Sequence, residues 1–334
     1  MPIYDNIKQN NKSLSISNVS KYISNTNIKC DDKLISGDTY YENFKNYMKK
    51  AFTTIKNPED VNVVKIGYRP RKSNSCVVSC NPGSYDLVCD SSGSKSINGI
   101  NISSNRNDIK FKDVFVFSLC GGGGSGAVGS STKSGGGGAA AGGCCGVLTF
   151  NETSSTKLSI TVGSGANGVS KKGSAGNRGS DSYIDSYSNS DSHTRILTCY
   201  GGSAGNVNGS SSGGSVSLDT NVSTTRPYIA YGITISGGNG GSPKSNGGSI
   251  SYSNYSYLPE GESKISMSGG SCIGSRGGGG GASAFGDGTN GYNADTSSPN
   301  AEMGAGSGGT GYIYIGTPKS TGKGGNGLFN IDTY

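Results

Sequence analysis

The chain is constrained most by one recurring unit, a short apolar strand that runs straight into a block of glycines. Val114-Phe115-Val116-Phe117-Ser118-Leu119-Cys120 leads into Gly121–Gly124, and Gly135–Gly138 and Gly142-Gly143 precede Val147-Leu148-Thr149-Phe150. Leu158–Val162 runs into Gly163-Ser164-Gly165, and Tyr231–Ile235 runs into Gly237-Gly238-Asn239-Gly240-Gly241. Ile265-Ser266-Met267 precedes Gly269-Gly270, with Gly277–Gly281 just beyond. Glycine has no side chain to bury or to react. Such a chain must therefore pack through its backbone, and any chemistry falls to the polar groups between the blocks.

Composition decides whether these blocks are ordered. The 334 residues include 59 Gly, no Trp and one His, and only 31% are hydrophobic. So much glycine without a period is usual in low-complexity chains. Here the apolar residues are gathered into alternating runs and only 15% of residues are charged, which favours a folded β-rich chain. Collagen is excluded, because Ser130-Ser131-Thr132-Lys133-Ser134 breaks the required glycine at every third position. Extended polyproline II-like glycine strands remain open, since backbones without Cβ atoms approach closely and pair their N–H and C=O groups.

Four regions follow. Residues 1–38 read as an extended N-terminal arm rich in Asn, Ser and Lys. Residues 39–112 read as an attachment region of one helix and short strands. The helix spans 39–55, capped by Thr39 and Glu42 and stopped by Pro58, with Tyr41, Phe44, Met48, Ala51, Phe52 and Ile55 on one face. That face covers the chain's own core or docks on a partner or a second copy. Residues 113–316 read as a glycine-rich β-sandwich, with period-two strands such as Ile229, Tyr231, Ile233 and Ile235. The tail, 317–334, pairs with a neighbour or trails.

No motif carries enzymatic chemistry. Gly163–Gly168 fits G-x-G-x-x-G, but the following residues are not helical, as a dinucleotide site requires. Residues 317–324 miss the first glycine and the final hydroxyl of a phosphate-binding loop. His193 lacks a nucleophile elbow. Asp181, Asp185 and Asp191 lack calcium-loop spacing. Cys76, Cys80 and Cys89 have no zinc spacing. We expect no catalytic residue, no metal and no cofactor, and mostly buried free thiols among the nine cysteines. The net charge of +7 is spread along the chain, which predicts a dispersed solvated surface and no nucleic-acid partner. The N-terminus shows no signal-peptide core and no apolar run is long enough to span a membrane, so synthesis in the cytoplasm without membrane insertion is expected. Tyr252, Tyr255 and Tyr257, set among Ser and Asn, form a candidate recognition surface of the adaptable kind found in antibody loops, or one tyrosine face covering core.

The run from Asp113 to Gly179, and the ending Gly277–Gly281, Ala282–Gly286, Gly308-Gly309-Thr310-Gly311-Tyr312-Ile313-Tyr314-Ile315, resemble the glycine-rich domains of bacteriophage and other viral tail-fibre and surface proteins. A similar plan occurs in the extracellular glycine-rich domain of anaplastic-lymphoma-kinase-type receptors. The resemblance covers 113–316. It implies a jelly-roll sandwich with polyglycine II helices and a virion structural protein: a minor capsid, spike or fibre component. Its implied partners are other virion proteins or a second copy of itself. As the alternative, an adhesin at a fibre tip would bind a host-surface glycan or receptor.

Overall fold

A computed structural model of the chain describes residues 29–30, 33–34, 77–89, 95–97, 100–101, 114–150, 156–188, 192–223, 226–252, 265–274, 276–312 and 316–332. The chain divides into two units, 1–74 and 75–334. In the first, β1 (Lys29–Cys30) pairs antiparallel with β2 (Lys33–Leu34). The expected helix at 39–55, with Tyr41, Phe44, Met48, Ala51, Phe52 and Ile55, lies outside the described residues.

The second unit is mainly β, and its described strands pair antiparallel throughout. They are β3 (Val77–Cys80), β4 (Gly83–Cys89), β5 (Lys95–Ile97), β6 (Ile100–Asn101), β7 (Val114–Cys120), β8 (Gly143–Thr149), β9 (Thr156–Val162) and β10 (Ser182–Tyr187). Then come β11 (His193–Cys199), β12 (Val216–Leu218), β13 (Tyr228–Ile235), β14 (Ile250–Tyr252), β15 (Ile265–Met267) and β16 (Leu328–Asp332). A seven-stranded sheet has the order β12-β11-β10-β9-β4-β5-β6, and a five-stranded sheet has the order β13-β8-β7-β16-β3. β14 and β15 pair only with each other among the described strands.

Alternation dictates which face is buried. In β9, Thr156, Leu158, Ile160 and Val162 are buried while Lys157, Ser159 and Thr161 are partly exposed. Leu158, Ile160, Ile184 and Leu197 of the larger sheet join Phe117, Leu119, Phe329 and Ile331 of the smaller one in a single apolar cluster. Phe117 and Phe329 stack across neighbouring strands with centroids 6.5 Å apart. Burying each Leu, Ile or Phe contributes about 1.5–3 kcal/mol. Both sheets feed this core, and neither covers its apolar face alone.

The chain's last described segment is part of the sheet. β16 pairs Phe329 with Leu119 and with Cys80, and so sits between β7 and β3. The period-two spacing of Phe329 and Ile331, both fully buried, explains this placement. The strands at 77–89 likewise join both sheets, with Tyr85 opposite Ile160 in β9.

Candidate functional site

Five glycine excursions leave the strand ends, and each leads to the next strand, the fifth after several passes. Segment 121–129 leaves β7 and 134–142 re-enters β8; 163–170 and 174–181 link β9 to β10; 200–206 and 209–215 link β11 to β12. Segments 236–242 and 245–249 link β13 to β14, 268–272 leaves β15 for 277–283, and 319–327 enters β16.

Backbone hydrogen bonds fix how these segments lie together. In segment 135–142, the N–H groups of Gly135, Gly138 and Ala141 donate to the carbonyls of Thr310, Ser307 and Gly304. Those of Gly136, Ala139 and Gly142 donate to Asn206, Ser203 and Tyr200, and those of Gly137 and Ala140 donate to Gly241 and Gly238. All eight bonds measure 2.8–3.0 Å. Each neighbour is thus reached again every third residue. Segment 121–129 repeats the rule: Gly121, Gly124 and Ala127 donate to Gly142, Ala139 and Gly136, while Gly122, Ser125 and Val128 donate to Ser180, Asn177 and Ser174. Its third set is mixed: Gly123 N–H donates to the Gly325 carbonyl, and those of Gly126 and Gly129 donate to Ser307 Oγ and Thr310 Oγ1.

This packing needs glycine for a steric reason. A Cβ built on Gly136 would lie 1.9 Å from the Gly209 carbonyl oxygen, and one on Gly137 would lie 2.0 Å from that of Gly279. The interior of the region is hydrogen-bonded backbone, which also satisfies the buried N–H and C=O groups. Where a neighbouring carbonyl is out of register, an asparagine side chain replaces it. Asn239 Oδ1 accepts from Gly213 N–H at 2.9 Å, Asn290 Oδ1 from Ser271 at 2.7 Å, and Asn326 Oδ1 from Gly165 at 3.0 Å. Three N–H groups of the Gly163–Gly168 run are spent internally, Gly163 on Ser182 Oγ, Gly165 on Asn326 and Ala166 on the Gly123 carbonyl, and so are not free to cradle a phosphate.

Four thiols mark where strands hand over to glycine segments: Cys120, Cys144, Cys145 and Cys199, all free and buried. Burial pushes Cys120 up to about 12 and Cys145 to about 11, and it raises Cys144 and Cys199 as well. Cys199 Sγ donates to the Leu119 carbonyl and Cys145 Sγ meets Ser118 Oγ at 3.5 Å. Neutral and desolvated, these cysteines pack as small apolar residues and are poor nucleophiles. Among the described residues, no group of three or more His, Cys, Asp or Glu is placed to hold a metal ion.

The remaining polar groups are structural in their contacts. His193 is exposed at the start of β11 and stacks on Tyr187, with centroids 5.3 Å apart. Asp185 holds Arg195 at 2.5 Å, and that guanidinium lies 3.6 Å from the Tyr183 ring centroid. Asp181 accepts from Arg178 and from Gly201 N–H. Asp191 lies outside the described residues. Tyr252 is placed as a backbone partner of Ile265 in the β14–β15 hairpin, while Tyr255 and Tyr257 lie outside the described residues.

The outer ends of the segments were not legible as a unit in sequence. Register brings them together. Gly173 N–H donates to the Gly129 carbonyl, and Asn208 N–H to that of Ser134. Tyr312 N–H donates to Ser134 Oγ, Lys244 N–H to the Arg276 carbonyl, Ile273 N–H to that of Gly291, and Lys319 N–H to that of Ala294. The tips around 130–133, 171–173, 207–208, 243–244, 273–274, 276, 293–297, 312 and 316–319 thus form one end of the region, remote in register from the strand ends.

No curated protein matches the chain. Among protein families, a glycine-rich domain model matches residues 108–334, which takes in the glycine segments and all strands from β7 to β16. The match spans more than half of the sequence, and the chain belongs to this glycine-rich domain family.

Proposed function

We propose that this is a non-enzymatic structural protein of a virus particle, a minor capsid, spike or fibre component. Its glycine segments act as a polyglycine II bundle beside a jelly-roll-like sandwich. The observation that carries the reading is that in segment 135–142 each N–H direction returns to the same neighbour every third residue, as a helix with three residues per turn requires. A single apolar core fed by both sheets supports the sandwich. The viral assignment rests on the resemblance of 113–316 to tail-fibre and surface domains. Residues 1–112 would attach the chain to other virion proteins or to a second copy. No helix among the described residues is long and apolar enough to cross a membrane. Mass spectrometry of purified particles tests this: the chain should be present at structural stoichiometry, and its absence from particles would overturn the reading.

A second reading, an adhesin at a fibre tip that binds a host-surface glycan or receptor, is favoured by the β14–β15 hairpin. This hairpin belongs to neither main sheet and interrupts the glycine segments at 250–267. Deleting 250–257, which removes Tyr252, Tyr255 and Tyr257, should abolish host binding and leave assembly intact. Unchanged binding would count against these tyrosines.

A further inference from the structure

The outer tips carry six cations, Lys133, Lys171, Lys172, Lys244, Arg276 and Lys319, against one carboxylate, Asp295. All six are exposed. They come from different turns and are far apart in sequence. The contacts between tips gather them: Gly173 beside Ser130, Lys244 beside Arg276, and Lys319 beside Ala294. The rest of the described surface is more balanced in kind, since Lys157, Arg178 and Arg195 each hold an aspartate.

Lys244 adds an independent observation. Left-handed backbone is adopted at four tips, by Gly173 (φ 72°), Asn208 (φ 66°), Lys244 (φ 67°) and Gly274 (φ 70°). Glycine and asparagine tolerate that conformation, whereas lysine adopts it only at an energetic cost. One tip therefore keeps a cation where backbone energetics favour Gly or Asn.

We propose that this end of the glycine region is a binding surface for a sulfated polysaccharide. A field of exposed like charges with one carboxylate attracts a polyanion. The cations are five lysines to one arginine, which act as point charges on sulfate and lack the forked geometry that favours nucleic-acid recognition. The groups between them are hydroxyls and amides, Ser130, Ser131, Thr132, Asn206, Asn208 and Ser245, suited to sugar hydroxyls. Within these tips the Tyr312 ring is covered on one face by Arg276, 4.5 Å from its centroid, which competes with the stacking of a base there. This assignment does not require the chain to belong to a particle.

The test uses the full chain and heparin as the probe, with binding measured by calorimetry or surface plasmon resonance at about 0.15 M salt. The wild-type chain should bind, with affinity falling steeply as salt rises. The variant Lys133→Glu/Lys244→Glu should lose at least about tenfold in affinity. A charge-matched control away from the tips, Lys157→Glu/Arg178→Glu, should lose less than about threefold. The milder Lys171→Gln/Lys244→Gln variant, with an unchanged unfolding transition, separates loss of the surface from loss of the fold. No heparin binding by the wild type, or equal losses in tip and control variants, overturns the proposal. Tighter binding to a DNA duplex or to phosphatidylserine vesicles than to heparin, lost in the same tip variants, also overturns it and reassigns the surface.

Discussion

The two halves of the second unit solve one problem in opposite ways. The sheets bury side chains: Leu87, Leu119, Leu148, Leu158 and Ile160 are fully buried among themselves. The glycine region buries backbone, with Gly136, Gly137 and Gly138 closed in by carbonyls of neighbouring segments. In the first, stability grows with apolar area. In the second, the absence of a side chain is what lets donors and acceptors meet, so at the enclosed glycines the packing tolerates no added atom. A composition too poor in apolar residues for an ordinary chain of this length is sufficient here because much of the interior holds no side chains.

The largest effect should come from adding a methyl group. Gly137→Ala places a Cβ 2.0 Å from the Gly279 carbonyl oxygen, and we expect a loss of at least about 3 kcal/mol or failure to fold. Gly209→Ala, whose Cβ would meet only Asn206 Cβ at 3.3 Å, should cost less than about 1 kcal/mol. Urea unfolding of the pair checks this, and equal costs would break the contrast. In the sheets the sign of the rule reverses, because removing atoms is what hurts. Leu158→Ala, fully buried in the apolar cluster, should cost about 2–5 kcal/mol by the same measurement.

How much of this was legible in sequence follows from the range of each interaction. Period-two alternation in Leu158–Val162 reports a local property, and β9 lies where that pattern puts it. The demand for glycine was also legible, because it is a property of composition. Which segment meets which was not. Gly126 N–H finds Ser307 Oγ, 181 residues away, and nothing local specifies that partner. The tail shows the same limit: its sequence leaves open whether it pairs or trails, and the place of Leu328–Asp332 between β7 and β3 depends on two strands far earlier in the chain. The cations at the outer tips read as dispersed because each belongs to a different turn. The candidate helix residues, and Tyr255 and Tyr257, lie outside the described residues.

The junction between the halves gives a pH signature. The buried thiols have folded pKa values raised from 9.0, to about 12 for Cys120 and about 11 for Cys145. The unfolded chain therefore loses these protons first, and rising pH favours unfolding. Stability from this source is intact below about pH 9 and falls through the alkaline range, by about 1.4 kcal/mol per pH unit for each thiol. Urea midpoints at about pH 8 and about pH 10 measure it, and the drop should shrink in Cys145→Ala. A pH-independent midpoint would mean that these thiols are not desolvated.

The smallest effect concerns the asparagines. Asn239→Ala leaves the Gly213 N–H without its acceptor at 2.9 Å, and should cost about 0.5–1.5 kcal/mol. A similar change at Asn221, an exposed residue whose own N–H bonds Asp219, should be nearly neutral. If both are neutral, solvent replaces the asparagine acceptor and the segment edges are wetter than described.

Amide hydrogen exchange, followed by mass spectrometry on peptides from 121–142 and 277–311, tests the central claim most directly. A backbone core predicts protection in these glycine segments as strong as in β7, β8 and β9, although carbonyls rather than large side chains enclose most of their glycines. Exchange at the rate of an unfolded chain would contradict the account, because the glycine segments would then be solvated loops.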